Sequence, residues 1–138
     1  MLNDAVRQRL VKAALEARRH AYAAYSGYRV AAALLCADGR IFTGVNVENA
    51  VYPLGLCAER TAVVKAVSEG CREFRAIVVV TPNAGAPCGA CRQVLWEFAP
   101  DLHVVVADAQ GRIHWEASLR ALLPRPFGAG DLSEVEGR

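Results

Sequence analysis

Three cysteines have the spacing of a metal site. Cys88-Gly89-Ala90-Cys91 sets two thiols three residues apart at the start of an expected helix, so both fall on one face. Cys57 opens a second expected helix. Helix N-termini carry partial positive charge, which favours thiolate over thiol. A converging trio of thiolates suits zinc. Three protein ligands leave the fourth tetrahedral position open to water, as in catalytic rather than structural zinc sites. Glu59, two residues beyond Cys57, is placed to reach that position, take a proton from water and pass it on to a leaving group. Three thiolates make the metal a weaker Lewis acid than histidines would, so such a base matters more. Arg60 lies three residues after Cys57, and its guanidinium can fold back to a ligand sulfur and withdraw some of that charge.

Asn46 and Glu48 form a second constellation. In strand period they point to one side and Val45 and Val47 to the other. Two polar groups at a strand end, entering a Gly/Pro loop, can grip sugar hydroxyls; they can equally cap the loop. Other readings of the cysteines are a closed site with Cys36, Cys71 or His103 as fourth ligand, and a thioredoxin-like redox pair at Cys88 and Cys91. The redox reading leaves Cys57 and Glu59 unexplained. Cys36, inside an apolar run, reads as a small buried thiol.

The elements that must position these groups follow from periodicity and punctuation. Asn3 or Asp4 caps a helix to about Ala21, with Val6, Leu10, Ala14 and Ala17 on one stripe. Arg29 to Ala37 reads as a strand, Asp38-Gly39 as a hairpin turn, and Arg40 to Val47 as the return strand. A helix follows from about Ala58 to Glu69, stopped by Gly70. Arg75 to Val80 is a buried strand, Cys88 to about Phe98 a helix, and Leu102 to Ala107 another buried strand. Arg112 to Trp115 is a short strand, and Ser118 caps a final helical turn. This order predicts an α/β fold with a partly parallel sheet and helices on both faces. The chain reads as one domain over residues 1–138, with a loosely ordered, partly flexible tail from about 125.

Composition bounds the function. The 138 residues are 54% hydrophobic and 22% charged, with a formal net charge of +2. That describes a globular chain rather than a disordered one, and it lacks the basic patch of a nucleic-acid binder. No signal-peptide pattern and no run of about 18 apolar residues is present, so no membrane partner and a cytoplasmic location are expected. There the five cysteines are expected to be free, metal-bound or catalytic, and their odd number argues against a disulfide framework.

Three ordered blocks then carry a resemblance. Asn46-Val-Glu-Asn-Ala50, Cys57-Ala-Glu-Arg-Thr-Ala62 and Pro87-Cys-Gly-Ala-Cys-Arg-Gln93 closely resemble the small homotetrameric cytidine deaminases of the cytidine/deoxycytidylate deaminase family. The likeness extends from the first helix to Leu122-Leu123-Pro124 and Phe127. It implies a three-layer α-β-α sandwich with a mixed five-stranded sheet, and hydrolytic deamination of cytidine and deoxycytidine in pyrimidine salvage. It implies one Zn2+ per chain on Cys57, Cys88 and Cys91, Glu59 as proton shuttle, and Arg60 bonded to the thiolates. Asn46 and Glu48 match the ribose-binding pair. Ala58 and Ala86 fall among the substrate-binding positions, Ala86 through its backbone carbonyl, which would accept from the substrate amino group. Tyr28 stands where the family usually has Phe against the base, and its hydroxyl needs a partner. Tyr52 and Phe127 match aromatics offered to a neighbouring subunit's pocket. Rival readings are a blasticidin S deaminase, a polynucleotide-editing deaminase and a non-catalytic zinc-stabilised interaction domain. Arg60 with the Asn46/Glu48 pair favours ordinary nucleosides, and the low net charge disfavours polynucleotides.

Overall fold

In the computed structural model, which describes residues 2–133, the first helix α1 spans Asp4–Arg18. Asn3 caps it, its side-chain oxygen accepting from the Val6 amide at 2.9 Å. The helix stops short of Ala21 because the chain turns at Arg18 and Tyr22 bridges to Val47. Strands β1 (Ala31–Cys36) and β2 (Ile41–Val45) form the expected hairpin around Asp38-Gly39. A 3-10 turn at Tyr52–Leu54 leads into helix α2 (Ala58–Ser68). Then follow β3 (Phe74–Thr81), α3 (Gly89–Phe98), β4 (His103–Asp108), β5 (Ile113–Ser118) and the short helix α4 (Leu119–Leu122). Ser118 caps α4, accepting from the Ala121 amide as expected.

The sheet order is β2-β1-β3-β4-β5, with β3 and β4 parallel and every other pair antiparallel. Side-chain alternation divides the core into two faces. Ala32, Leu34, Ile77, Val79, Val104 and Val106 meet α2, α3 and Leu119. Ala31, Ala33, Leu35, Val78, Val80 and Val105 meet α1 through Leu10, Val11 and Ala14. The expected three-layer sandwich with a mixed five-stranded sheet is therefore observed. The Leu, Ile and Val side chains among these core residues each contribute about 1.5–3 kcal/mol.

One close approach seats the helix that carries Cys57. A Cβ at Gly44 would lie 2.4 Å from the Ala62 nitrogen and 2.5 Å from the Ala58 carbonyl oxygen. Only glycine lets β2 and α2 come this near, because the obstructing atoms are backbone.

Several expectations are corrected. Cys36 and Cys71 are not free thiols: they form a disulfide across 35 residues, with Cα atoms 6.5 Å apart. The reason is tertiary, since the end of β1 and the chain just past α2 meet at one rim of the sheet. Asn46 and Glu48 do not continue a strand, because β2 ends at Val45 and Val47 bridges instead to Tyr22 and Leu56. The final strand runs to Ser118 rather than Trp115, following the register of β4. In the tail, Ala129–Ser133 forms a short helix α5, and residues 134–138 lie outside the described residues.

Candidate active site

β1 begins at the sheet edge where β2 and β3 end, since Ala31 is paired with both Val45 and Val80. The loops leaving that edge and the N-termini of α2 and α3 enclose a cavity of about 430 Å³. Cys57 and Cys88 are the N-cap residues of their helices, both in extended backbone and neither making a side-chain cap bond. Where Ser, Thr or Asp would ordinarily accept an amide, a sulfur stands instead. Cys91, one turn into α3, is fully buried. Cys57 Sγ lies 3.9 Å from Cys88 Sγ, which lies 3.5 Å from Cys91 Sγ, and all three are within 4.8 Å of one another.

Tetrahedral zinc with Zn–S bonds of about 2.3 Å holds its sulfurs about 3.8 Å apart. The trio fits a single zinc ion on that measure. No other described carboxylate, histidine or thiol belongs to the group. The candidates for a fourth ligand are engaged elsewhere: Cys36 with Cys71, and His103 Nε2 with Glu116 Oε1 at 2.6 Å.

Charge in the site is unevenly held. The Cys57 thiol is pulled down by hydrogen bonding from Cys91 and by the Arg60 guanidinium, while the Cys91 thiol is pushed up by hydrogen bonding to Cys57 and by burial. Arg60 Nη2 donates to Cys57 Sγ at 3.4 Å, as the i, i+3 spacing suggested. Glu59 is only 4% exposed on the cavity wall. Burial pushes its carboxyl up to about 7.

The remaining expected residues divide. Tyr28, Asn46, Glu48, Tyr52, Ala58 and Ala86 all line the same cavity. Asn46 Oδ1 accepts from the Val30 amide at 2.9 Å and its Nδ2 donates to the Tyr28 carbonyl at 2.8 Å. The Glu48 carboxylate accepts from the amides of Tyr25 and Ser26 and from the Ser26 hydroxyl, which lowers its pKa. Both side chains thus cap the loop and face the cavity. Tyr52, 71% exposed, edges this chain's own cavity and packs edge-on to Tyr25. Phe127 is outside the cavity and 59% exposed, its carbonyl accepting from Gln93.

Sequence reasoning missed Thr81 and Gly85 in the cavity wall, and Asn83 beside them. The one available signal was the unmatched Tyr28 hydroxyl.

Comparisons agree with this geometry. A family model for the cytidine and deoxycytidylate deaminase zinc-binding region matches residues 4–107. A cytidine deaminase of Halalkalibacterium halodurans is 49% identical over 131 residues, covering 93% of this chain and 98% of the relative. One of Sporosarcina psychrophila is 45% identical over 129 residues, covering 91% and 94%. The crystal structure of cytidine deaminase from Burkholderia pseudomallei superposes with a TM-score of 0.82 at 47% identity, covering 91% of this chain and all of that one.

Proposed function

This chain belongs to the cytidine and deoxycytidylate deaminase family, and from that premise we propose that it hydrolyses cytidine and deoxycytidine to uridine and deoxyuridine plus ammonia, in pyrimidine salvage. The observation that carries the reading is the sulfur trio at single-ion spacing beside a buried carboxyl held near neutrality. Such a carboxyl exchanges protons in both directions at physiological pH.

In this reading Cys57, Cys88 and Cys91 hold one Zn2+. Zinc, when bound, supplies Lewis acidity at the fourth, non-sulfur position. Glu59 accepts a proton from the attacking water and delivers it to the ring nitrogen. The hydroxide so formed adds to the ring carbon that bears the amino group. Glu59 then takes the proton of the new hydroxyl and passes it to that amino group as the carbonyl forms, the carbon–nitrogen bond breaks and ammonia departs. Arg60 draws charge from Cys57 and so preserves the electrophilicity of the site. The Tyr28 ring stacks against the base, and the Ala86 carbonyl accepts from the exocyclic amine. Ala58, first in α2, presents a backbone N–H that has no helical partner. Asn46 and Glu48 bind the sugar hydroxyls, their loop-capping bonds fixing them before substrate arrives.

Self-association to a homotetramer belongs to the same proposal, with Tyr52 and Phe127 contributing to a neighbour's pocket. Exposed Tyr22, Val47 and Leu56, linked by backbone bridges, support it together with exposed Val51 and Leu54, because neighbouring apolar groups left open to water favour covering. A cytoplasmic location is proposed as well. Among the described residues no helix is long and apolar enough to cross a membrane.

The test is conversion of cytidine to uridine by the purified protein, with zinc counted per chain and mass measured by light scattering. Turnover with one zinc per chain is expected. A zinc-free preparation that resists reconstitution, or a preference for blasticidin S over cytidine, would overturn the assignment.

A further inference from the structure

The Tyr28 hydroxyl, unexplained by sequence, has a partner 55 positions away. It donates to Asn83 Oδ1 at 2.6 Å. Asn83 belongs to the segment between β3 and Cys88, which supplies Gly85 and Ala86 to the cavity wall. That segment is held in an uncommon shape. Ala84 sits in the left-handed region at φ 57°, which a residue with a Cβ adopts only when its surroundings impose it. Two bonds flank it: Tyr28 to Asn83, and the Gly85 amide donating to Thr81 Oγ1 at 2.7 Å. The base of Tyr28 is itself anchored, its amide donating to Ser26 Oγ and its carbonyl accepting from Asn46.

Gly85 completes the arrangement. A Cβ there would lie 2.5 Å from the Tyr28 oxygen, while the next nearest atoms, on Asn83 and Thr81, are 3.6 and 3.7 Å away. The hydroxyl is therefore the one close obstacle, and because it is the far end of a side chain, a Cβ at 85 would displace it from its place beside Asn83.

We propose that the Tyr28 hydroxyl is a positioning group: through Asn83 it holds the 82–86 segment, and with it Ala86, at the amine end of the pocket. The consequence for substrate rests on the deaminase reading above. A segment released at Asn83 presents the Ala86 carbonyl less well to the exocyclic amine, so the loss falls on ligands that carry that amine.

The experiment uses zinc-loaded protein and three variants. In Tyr28→Phe, hydrogen exchange at the Gly85 amide is expected to quicken about fivefold, the effect of losing one hydrogen bond. The KM for cytidine should rise by a similar factor. Binding of the pyrimidin-2-one riboside, which has hydrogen in place of the amino group, should change less than about twofold. Asn83→Ala should reproduce Tyr28→Phe, and the pair together should add little. Gly85→Ala alone should cut kcat/KM at least about tenfold, and less than about threefold when made in Tyr28→Phe. Unchanged exchange at Gly85, equal weakening of both ribosides, or an undiminished Gly85→Ala loss would each overturn the proposal. Wild-type protein that leaves cytidine intact overturns the deaminase reading instead, and the exchange measurement still tests the tie between Tyr28 and the segment.

Discussion

Cys36, the last residue of β1, is disulfide-bonded to Cys71, just beyond α2. The bond fastens the sheet to the far end of the helix whose first turn carries Glu59 and Arg60 and whose cap is Cys57.

Closing a loop of 35 residues stabilises a protein by about 2–4 kcal/mol. Cys36→Ala/Cys71→Ala should therefore lower the melting temperature by roughly 10 °C. Turnover at 25 °C should be nearly unchanged, because the sulfur trio is untouched. Thiol titration of denatured, zinc-stripped wild-type protein should find three thiols before reduction and five after. Five before reduction would show that the bond does not form.

Glu59→Gln keeps the shape and removes the transferable proton. Turnover of cytidine should fall at least about 10²-fold, with one zinc per chain still counted by atomic absorption. Activity retained at wild-type level would refute the proposed role of Glu59 as proton shuttle.

Arg60→Gln deletes the donor 3.4 Å from Cys57 Sγ. A partner behind a metal ligand is worth roughly 10- to 100-fold in affinity or activity. Competition with a chromophoric chelator should show zinc held at least about tenfold less tightly, and kcat should fall with it. An unaltered zinc affinity would reduce Arg60 to an ordinary surface cation.

Asp108 supplies a pH test remote from the sulfurs. Its side chain, 5% exposed, accepts from His114 Nε2, from the amides of Arg112 and Gln110, and from Arg112 Nε. Hydrogen bonding to His114, with the other donors, holds its carboxyl well below the usual carboxylate range. The unfolded chain thus binds a proton more readily than the folded one. The stability this provides is fully present above about pH 4, the ordinary carboxylate value, and is lost as pH falls below it. Asp108→Asn keeps an acceptor oxygen for the amides but not the charge. Urea denaturation should show the variant less stable at pH 7, with the gap beginning to narrow as pH falls below about 4 toward 3. A gap that is constant across that interval would mean the charge contributes nothing.

The legible part of this protein was local. Helix starts at Cys57 and Cys88, the shared face of Cys88 and Cys91, and the reach of Arg60 back to Cys57 all depend on geometry that repeats within one turn. The buried strands announced themselves by apolar runs, and the alternation of helix and strand implied the layered sheet. The three short blocks of sequence carried the family likeness because chemistry restricts residue type at those positions.

What only the tertiary structure decided were meetings between residues 16 to 55 positions apart. Cys57 joins Cys88 and Cys91 because β1 begins where β2 and β3 end, so the helices that follow start side by side. Cys36 finds Cys71, and Tyr28 finds Asn83, across loops whose course no local propensity encodes. Asn46 and Glu48 face the cavity because loop amides capture them after β2 has ended, not because a strand carries them there. Hydrogen-bond geometry and helical period act over about four residues; beyond that range, sheet register and the packing of α2 against Gly44 settle which side chains meet.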